Sequence, residues 1–156
     1  MPALITYRTP IQKDWVDYNG HLRDAYYLLI FSYATDGLME RIGLDADSRG
    51  QSGNSLFTLE AHINYLHEVK LGTEVWVQTQ IIGFDRKRLH LYHTLHRAGF
   101  EDALAASEQI LLHVDLAGPK SVPFGEISNS RLQSMVDGQR GLFTPSYTGR
   151  TIKIPG

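Results

Sequence analysis

Residues 23–42, RDAYYLLIFSYATDGLMERI, predict the element around which the rest of the chain folds. Apolar residues recur near the 3.6-residue spacing of an α-helix, and further apolar residues fill the positions between them. A helix that is apolar almost all round is expected to be buried almost all round. Gly43 follows, where left-handed backbone geometry ends a helix. At 1.5 Å per residue, about 19 helical residues make a rod about 28 Å long, enough to cross a small sheet.

Downstream of this helix the apolar pattern changes to a period of two, which is typical of a half-buried β-strand. One face of the strand over 57–65 is predicted to be apolar and the other polar. The apolar positions are Phe57, Leu59, Ala61, Ile63 and Tyr65, and the polar positions are Thr58, Glu60, His62 and Asn64. Strict alternation places Glu60 and His62 on one face.

The same pattern continues, and three more strands are predicted over 73–84, 89–97 and 103–114. The turns at 85–88 and 98–102 are short, so these strands must be antiparallel neighbours. A short strand over 5–11 precedes the helix, and Pro10 places it at an edge of the sheet.

The remaining segments complete an α+β fold class, an antiparallel sheet of about five strands wrapped around one long buried helix. Residues 43–55 are polar and rich in Gly and Ser, so we expect a loop. Residues 127–140 have the pattern of a short amphipathic helix, and 141–156 are expected to form an extended tail. The chain is therefore predicted to be one domain over 1–140 with a tail.

Composition and charge exclude several classes of protein. The 156 residues include no Cys, which removes disulfides, thiolate metal sites and Cys nucleophiles. The net charge is −2, and Arg86–Arg88 is the only tight basic run, so no nucleic-acid partner is expected. No apolar stretch is long enough to span a membrane, and the N-terminus lacks the pattern of a signal peptide. We therefore predict a cytoplasmic protein with no membrane partner.

Common catalytic motifs are also missing from the sequence. It contains no G-x-S-x-G nucleophile elbow, no P-loop and no dinucleotide-binding glycine pattern. His90, His93 and His96 are spaced suggestively, but alternation along a strand sends His93 to the opposite face, and about 20 Å separates the other two. No metal site is expected.

One unusual segment, Trp15-Val-Asp-Tyr-Asn-Gly-His21, lies just before the long helix. Asn19-Gly20 is a typical turn dipeptide. Asp17 precedes the first turn of the helix, where unpaired N–H groups and a partial positive charge suit a developing oxyanion. A carboxylate there can attack a carbonyl directly or deprotonate water. The structural alternative is an N-cap or an Asx-turn.

Three motifs and the order of elements resemble the hotdog-fold acyl-CoA thioesterases of the 4-hydroxybenzoyl-CoA thioesterase-like branch. The motifs are DYNGHLRDAY at 17–26, YLHEVKLGTE at 65–74 and HVDLAGPKSVP at 113–123, and the resemblance covers roughly residues 5–140. The segment at 15–21 together with TLEAH at 58–62 is similar to the subgroup associated with carnitine catabolism, which hydrolyses betainyl-CoA. The usual Asn pair of the branch is Arg23-Asp24 here, and a usual Pro is Glu68.

The resemblance implies a set of catalytic residues. Asp17 is the nucleophile or general base, and the backbone N–H near Asp24 is the oxyanion donor. His21 orients the acyl group or hydrogen-bonds to Asp17; the alternative is a residue that merely packs at the helix entry. Glu60 and His62 belong to a polar stripe that faces either solvent or the Asp17 of a second subunit. The implied assembly is a homodimer or homotetramer.

Substrate contacts are expected from aromatic and basic residues near this motif. The aromatic candidates are Trp15, Tyr18, Tyr26, Tyr27 and Trp76, and two or three of them could form a cage for a trimethylammonium group, with Asn19 close by. The alternative is that these aromatic residues belong to the core. Arg86 and Arg88, with Lys87 and Lys70 as further candidates, would bind the CoA phosphates, unless they are simply solvated. CoA is part of the substrate, and no separate cofactor is expected.

Two other functions remain open at this stage. A hydratase or dehydratase on the same fold would act on an acyl thioester without releasing CoA, so the appearance of free thiol separates it from a thioesterase. A non-catalytic binding module would use the aromatic residues to hold a quaternary ammonium ligand without turning over any CoA ester.

Overall fold

The computed structural model describes residues 4–142 and 145–155. The strands are β1 (Leu4–Pro10), β2 (Asn54–Tyr65), β3 (Glu74–Phe84), β4 (Arg88–Arg97), β5 (Ala105–Asp115) and β6 (Lys120–Ser121). The helices are α1 (Asp24–Arg41), α2 (Ala46–Ser52) and α3 (Glu126–Gly138), with a 3₁₀ turn at Lys13–Trp15. The predicted long helix, five main strands and final helix are confirmed within one or two residues at most ends.

The main strands form one antiparallel sheet in the order β1-β3-β4-β5-β2, and β6 adds to β5. Strand β1 lies at one edge, where the missing N–H of Pro10 costs nothing, as predicted. Strand β2 forms the other edge and pairs only with β5 among the described residues. The sheet carries α1 on its inner face, so the predicted α+β class and the hotdog arrangement are confirmed.

Helix α1 is buried on one face only, which corrects the prediction of burial all round. Ile30, Phe31 and Leu38 have no exposed surface. Leu28 and Tyr33, on the other side, are 44% and 39% exposed. The sheet covers α1 from one side only. An apolar residue on the far side of α1 is therefore exposed to solvent unless another helix, sheet or subunit packs on it.

A buried histidine joins α1 to the sheet. The His93 ring on β4 has no exposed surface and stacks on Phe31, with ring centroids 5.7 Å apart. Its Nδ1 lies 2.8 Å from Thr79 Oγ1 on β3, and its Nε2 lies 3.0 Å from Thr35 Oγ1 on α1. Thr35 donates its hydroxyl proton to the Phe31 carbonyl, so it accepts from His93 Nε2–H. This arrangement suits a proton on Nε2, and burial keeps the imidazole neutral by lowering its pKa.

Gly37 lets α1 approach the edge of the sheet. A Cβ at this position would lie 2.1 Å from the Thr6 carbonyl oxygen on β1, far inside van der Waals contact. Only glycine permits this spacing between helix and strand.

Two local features differ from the sequence prediction. The expected loop 43–55 contains α2, which Asp45 caps by accepting a hydrogen bond from the Ser48 N–H. Strand β2 has a bulge between Thr58 and Glu60, so its alternation is not strict. Leu56 and Thr58 before the bulge pair with residues of β5 that point inward, as Ala61 and Ile63 do after it. Phe57 pairs with Leu112, which points outward, so Phe57 lies on the outer face.

Tyr147 and Gly149 of the C-terminal segment contact the outer face of the sheet. The Gly149 N–H donates to Glu108 Oε1 at 2.8 Å, and the Tyr147 backbone hydrogen-bonds to the Tyr92 hydroxyl. Beyond these contacts the chain is exposed, with Ile152 and Ile154 at 87% and 92%. Residues 143, 144 and 156 of the predicted tail lie outside the described residues.

We expect Gly37→Ala to lower the free energy of unfolding by about 2 kcal/mol or more, because the helix must move away from Thr6. Gly50→Ala is the matched control: Gly50 is an exposed residue of α2 whose added Cβ would meet no atom within 4 Å. That change should be neutral or stabilising by up to about 1 kcal/mol. Equal effects of the two changes in denaturant unfolding would contradict the packing described for Gly37.

Burial lowers the pKa of His93 to about 3 from its ordinary value of 6.5. Between these values the unfolded chain binds a proton at His93 and the folded chain does not. The free energy of unfolding should therefore fall as the pH falls from 6.5 to 3, by about 1.4 kcal/mol per pH unit from this residue. His93→Gln should remove that contribution. Independently of any variant, the ring resonances of His93 should show the neutral form at pH 5, and a protonated ring at that pH would contradict the prediction.

Candidate functional site

The segment before α1 is a small hairpin that holds Asp17 at its turn. Val16 and Leu22 form an antiparallel bridge. The Asp17 N–H donates to the His21 carbonyl at 2.9 Å, and the Gly20 N–H donates back to the Asp17 carbonyl at 3.0 Å. Gly20 has a φ of +77°, a left-handed conformation that glycine adopts without strain. The predicted turn at Asn19-Gly20 is confirmed.

The Asp17 carboxylate is fixed by backbone donors. Its Oδ1 accepts from the Asn19 N–H at 2.8 Å and from the His21 N–H at 3.1 Å. The His21 N–H, and more weakly the Asn19 N–H, hold the pKa of Asp17 below its ordinary value of 3.8. Its Oδ2 accepts no hydrogen bond from the residues that the structure describes. Asp17 thus forms the Asx-turn and still presents an ionised oxygen. It is not the N-cap of α1, which is Arg23.

Backbone hydrogen bonds join this hairpin to the segment that follows β2. The Leu22 N–H donates to the Val69 carbonyl, and the Leu71 N–H donates to the Gly20 carbonyl, both at 2.9 Å. The Arg23 N–H donates to the Trp15 carbonyl at 3.0 Å. The hairpin is therefore held at one end of the sheet, directly before the first turn of α1.

The first turn of α1 supplies an unpaired backbone donor. The Asp24 carboxylate accepts from the Ala25 N–H at 2.9 Å, and the Tyr26 N–H donates to the Arg23 carbonyl at 3.0 Å. Within residues 4–142 and 145–155, the Asp24 N–H itself donates to no protein acceptor. An unpaired N–H at the positive end of a helix is suited to hold an oxyanion.

The imidazole of His21 does not contact the Asp17 carboxylate; only the His21 backbone N–H does. The ring instead faces Glu68, with His21 Nδ1 3.5 Å from Glu68 Oε2. Glu68 follows β2, so sequence reasoning about the hairpin alone could not find this pair.

Of the aromatic residues considered for a cage, Trp15 and Tyr26 pack on each other, and Tyr18 is exposed. Trp15 is only 7% exposed and belongs to the hydrophobic core, as the structural alternative held. Tyr26 stacks on Trp15 at 6.3 Å, with the rings inclined by 19°. Tyr18 is 92% exposed at the tip of the hairpin, and Asn19 beside it is also exposed. The ring face of Trp15 is thus already occupied by protein.

Glu60 and His62 lie on the outer face of the sheet, away from α1. His62 is paired across the strands with Glu108, whose Oε2 lies 2.6 Å from His90 Nε2. The four side chains line a cavity of about 290 Å³ together with Gly149 of the C-terminal segment. One subunit therefore does not bring Glu60 and His62 to its own Asp17. The His90–Glu108 pair escaped sequence analysis because the register between β4 and β5 creates it.

The basic turn lies at the opposite end of the sheet from Asp17. Arg88 pairs with Leu112 on β5, seven residues or about 23 Å along the strand from Ala105, which pairs with Tyr65. Arg88 binds Asp85 through Nε at 2.8 Å and holds the pKa of that carboxyl at about 2. Arg86 lines a shallow cavity at the same turn. Neither arginine reaches the Asp17 of its own subunit.

Within the part of the chain that the structure describes, no three His, Asp or Glu side chains are grouped so that they could hold a metal ion. No helix in the described ranges has both the length and the apolar character needed to cross a membrane.

Comparison with known proteins gives consistent results. Residues 11–132 match the model of the thioesterase-like superfamily. A betainyl-CoA thioesterase from Pseudomonas aeruginosa is 58% identical over 98% of this chain and 96% of its own length. A Pseudomonas putida structure described as a candidate thioesterase is 77% identical, with a TM-score of 0.91 over 100% of this chain and 99% of that one. A Staphylococcus aureus protein solved in complex with CoA is 28% identical, with a TM-score of 0.91 over 99% and 98%.

Proposed function

The chain belongs to the thioesterase-like superfamily and is a thioester hydrolase, and from this premise we propose that it hydrolyses betainyl-CoA to betaine and CoA. The observation that carries the choice of acyl group is the 58% identity to a betainyl-CoA thioesterase across nearly the whole of both chains. Such a reaction would belong to carnitine catabolism, as the sequence motifs predicted. A cytoplasmic location and the lack of a cofactor stay predictions from the sequence.

Asp17 is the proposed nucleophile. Because its pKa lies below the ordinary value, the carboxylate is ionised at neutral pH but is a weak base. The Oδ2 atom, which accepts no hydrogen bond from the described residues, is free to attack the thioester carbon directly. In that route Oδ2 forms a bond to the carbonyl carbon, the C–S bond breaks, and the CoA thiolate leaves and takes up a proton. Water then hydrolyses the mixed anhydride to betaine and regenerates Asp17. In the alternative route Asp17 deprotonates a water molecule that attacks the same carbon.

The Asp24 N–H is the proposed oxyanion donor in both routes. Negative charge develops on the thioester oxygen as the carbon becomes tetrahedral. A backbone N–H at the start of an 18-residue helix is already oriented and adds the positive end of the helix dipole. His21, whose ring lies at the same hairpin, is proposed to orient the acyl group.

We propose that the enzyme works as a homodimer or homotetramer. Among the described residues the 12-residue strand β2 pairs on its β5 side only, and Phe57, Leu59 and Tyr65 on it are 42%, 57% and 52% exposed. Such an edge invites pairing with a second copy. Only another subunit could bring Glu60, His62, Arg86 or Arg88 near Asp17. The CoA complex of the Staphylococcus aureus relative supports CoA recognition on this fold.

Gel filtration at micromolar concentration should give a mass at least twice the 17.6 kDa of one chain. A single 17.6 kDa species with full activity would show that one subunit contains the whole site, and would remove Glu60, His62, Arg86 and Arg88 from it.

We expect Asp17→Asn to reduce thiol release from betainyl-CoA by at least about 100-fold, because the amide can neither attack nor accept the proton. Asp14→Asn is the matched control: Asp14 is exposed, lies three residues earlier, and should leave turnover unchanged. Circular dichroism should show that both variants fold.

The same assay separates the proposal from the other candidate functions. Near-normal turnover by Asp17→Asn would remove Asp17 from the mechanism. Consumption of an acyl-CoA without release of free thiol would indicate a hydratase or dehydratase. Calorimetric binding of betaine or carnitine without turnover of any CoA ester would indicate a binding module.

A further inference from the structure

The geometry of the proposed substrate limits where its charge can be recognised. In betainyl-CoA the quaternary nitrogen is two bonds from the carbonyl carbon, or about 2.5 Å. When that carbon is attacked by Asp17 and its oxygen lies on the Asp24 N–H, the cation must lie within a few ångströms of both. Groups that select a cationic acyl chain must therefore flank the hairpin and the start of α1. This inference rests on the proposed function.

Two carboxylates besides Asp17 lie in this region. Glu68 belongs to the segment that pairs with the hairpin, next to Val69, which accepts the Leu22 N–H. Its Oε2 lies 3.5 Å from the ring of His21, whose backbone N–H holds Asp17, and its side chain is 78% exposed. Asp24 is the first residue of α1. The cationic side chains of Arg23 and Lys70 are close in sequence, and both residues are exposed.

A tyrosine pair hydrogen-bonds to the backbone on both sides of this region. The Tyr65 hydroxyl donates to the Asp24 carbonyl at 3.2 Å, and the Tyr27 hydroxyl donates to the His67 carbonyl, next to Glu68, also at 3.2 Å. The rings meet edge to face, with centroids 5.1 Å apart, and Tyr65 is half exposed. Burial, and then the negative charge of Glu68, raise the pKa of Tyr27 to about 12, so the phenol stays neutral.

We propose that Glu68 is the specificity-determining residue for a cationic acyl group, with the exposed ring of Tyr65 and the carboxylate of Asp24 completing the recognition. A trimethylammonium group cannot donate an N–H hydrogen bond, so only negative charge and aromatic faces can recognise it. An uncharged acyl group of the same shape gains nothing from Glu68. The same charge disfavours a developing oxyanion unless a cation on the substrate offsets it, which adds to the selectivity.

The test compares two substrates of one shape. In 3,3-dimethylbutyryl-CoA a carbon replaces the quaternary nitrogen of betainyl-CoA, so the two thioesters differ in charge and hardly in size. We expect Glu68→Gln to lower kcat/KM for betainyl-CoA about two- to fivefold, as suits one largely exposed charge pair, and to leave kcat/KM for the neutral substrate unchanged or higher. Glu40→Gln is the matched control, since this exposed glutamate lies 16 residues or about 24 Å along α1 from Asp24.

Each outcome decides between alternatives. A lower rate of betainyl-CoA hydrolysis, with the rate for 3,3-dimethylbutyryl-CoA unchanged or higher, supports the proposal. A parallel loss for both substrates would show that Glu68 only positions His21, and would overturn it. Unchanged kinetics for both would overturn it as well. If the unaltered protein turned over 3,3-dimethylbutyryl-CoA but not betainyl-CoA, the proposed function would fail first and the inference with it, so the two failures are distinguishable.

Discussion

A neutral imidazole fixes the helix against the sheet, and the rest of the structure depends on that contact. His93 hydrogen-bonds to Thr79 on one side and to Thr35 on the other, and it stacks on Phe31. A buried polar ring is tolerated because both nitrogens have partners, and those partners permit one register of α1 over β3 and β4. Gly37 then brings the helix close to β1. With both contacts made, the first residue of α1 has one position relative to the strands.

The candidate site is built almost entirely from backbone groups around that position. The Asp17 carboxylate is held by two backbone N–H groups, the hairpin by the carbonyl of Val69, and the proposed oxyanion donor is the N–H of Asp24. The proposed selection of the acyl group is therefore left to side chains around this backbone frame. Glu68 and Tyr65 approach the hairpin from the end of β2 and the segment after it, which is the open edge of the sheet. The proposed subunit contact and the proposed recognition of the acyl group thus involve the same edge.

Much of the fold could be predicted from sequence, because the spacing of apolar residues and the residue types that form turns are local properties. The helix at 24–41, the antiparallel order β3-β4-β5 and the turn at Gly20 all followed from neighbours within a few residues. The errors are equally instructive. The bulge at Leu59 places Phe57 on the outer face of the sheet. A run of alternating residues does not indicate which residue will be left without a partner on the neighbouring strand. Helix α2 was missed because its stability depends on the Asp45 cap and not on an apolar face.

The sequence by itself determined the class of the fold, the place of Asp17 before a helix and, through its motifs, the thioesterase family. Tertiary structure alone decided which residues meet. In the folded chain Trp15 lies in the hydrophobic core, and the ring of His21 faces Glu68 rather than Asp17. Glu60 and His62 lie on the face of the sheet opposite α1, where they line a cavity with His90 and Glu108. Local pattern specifies a strand or a helix, but contacts between elements are set by register and by the face that each element buries. The register of each strand and the buried face of each element are fixed only when the whole sheet packs on the helix.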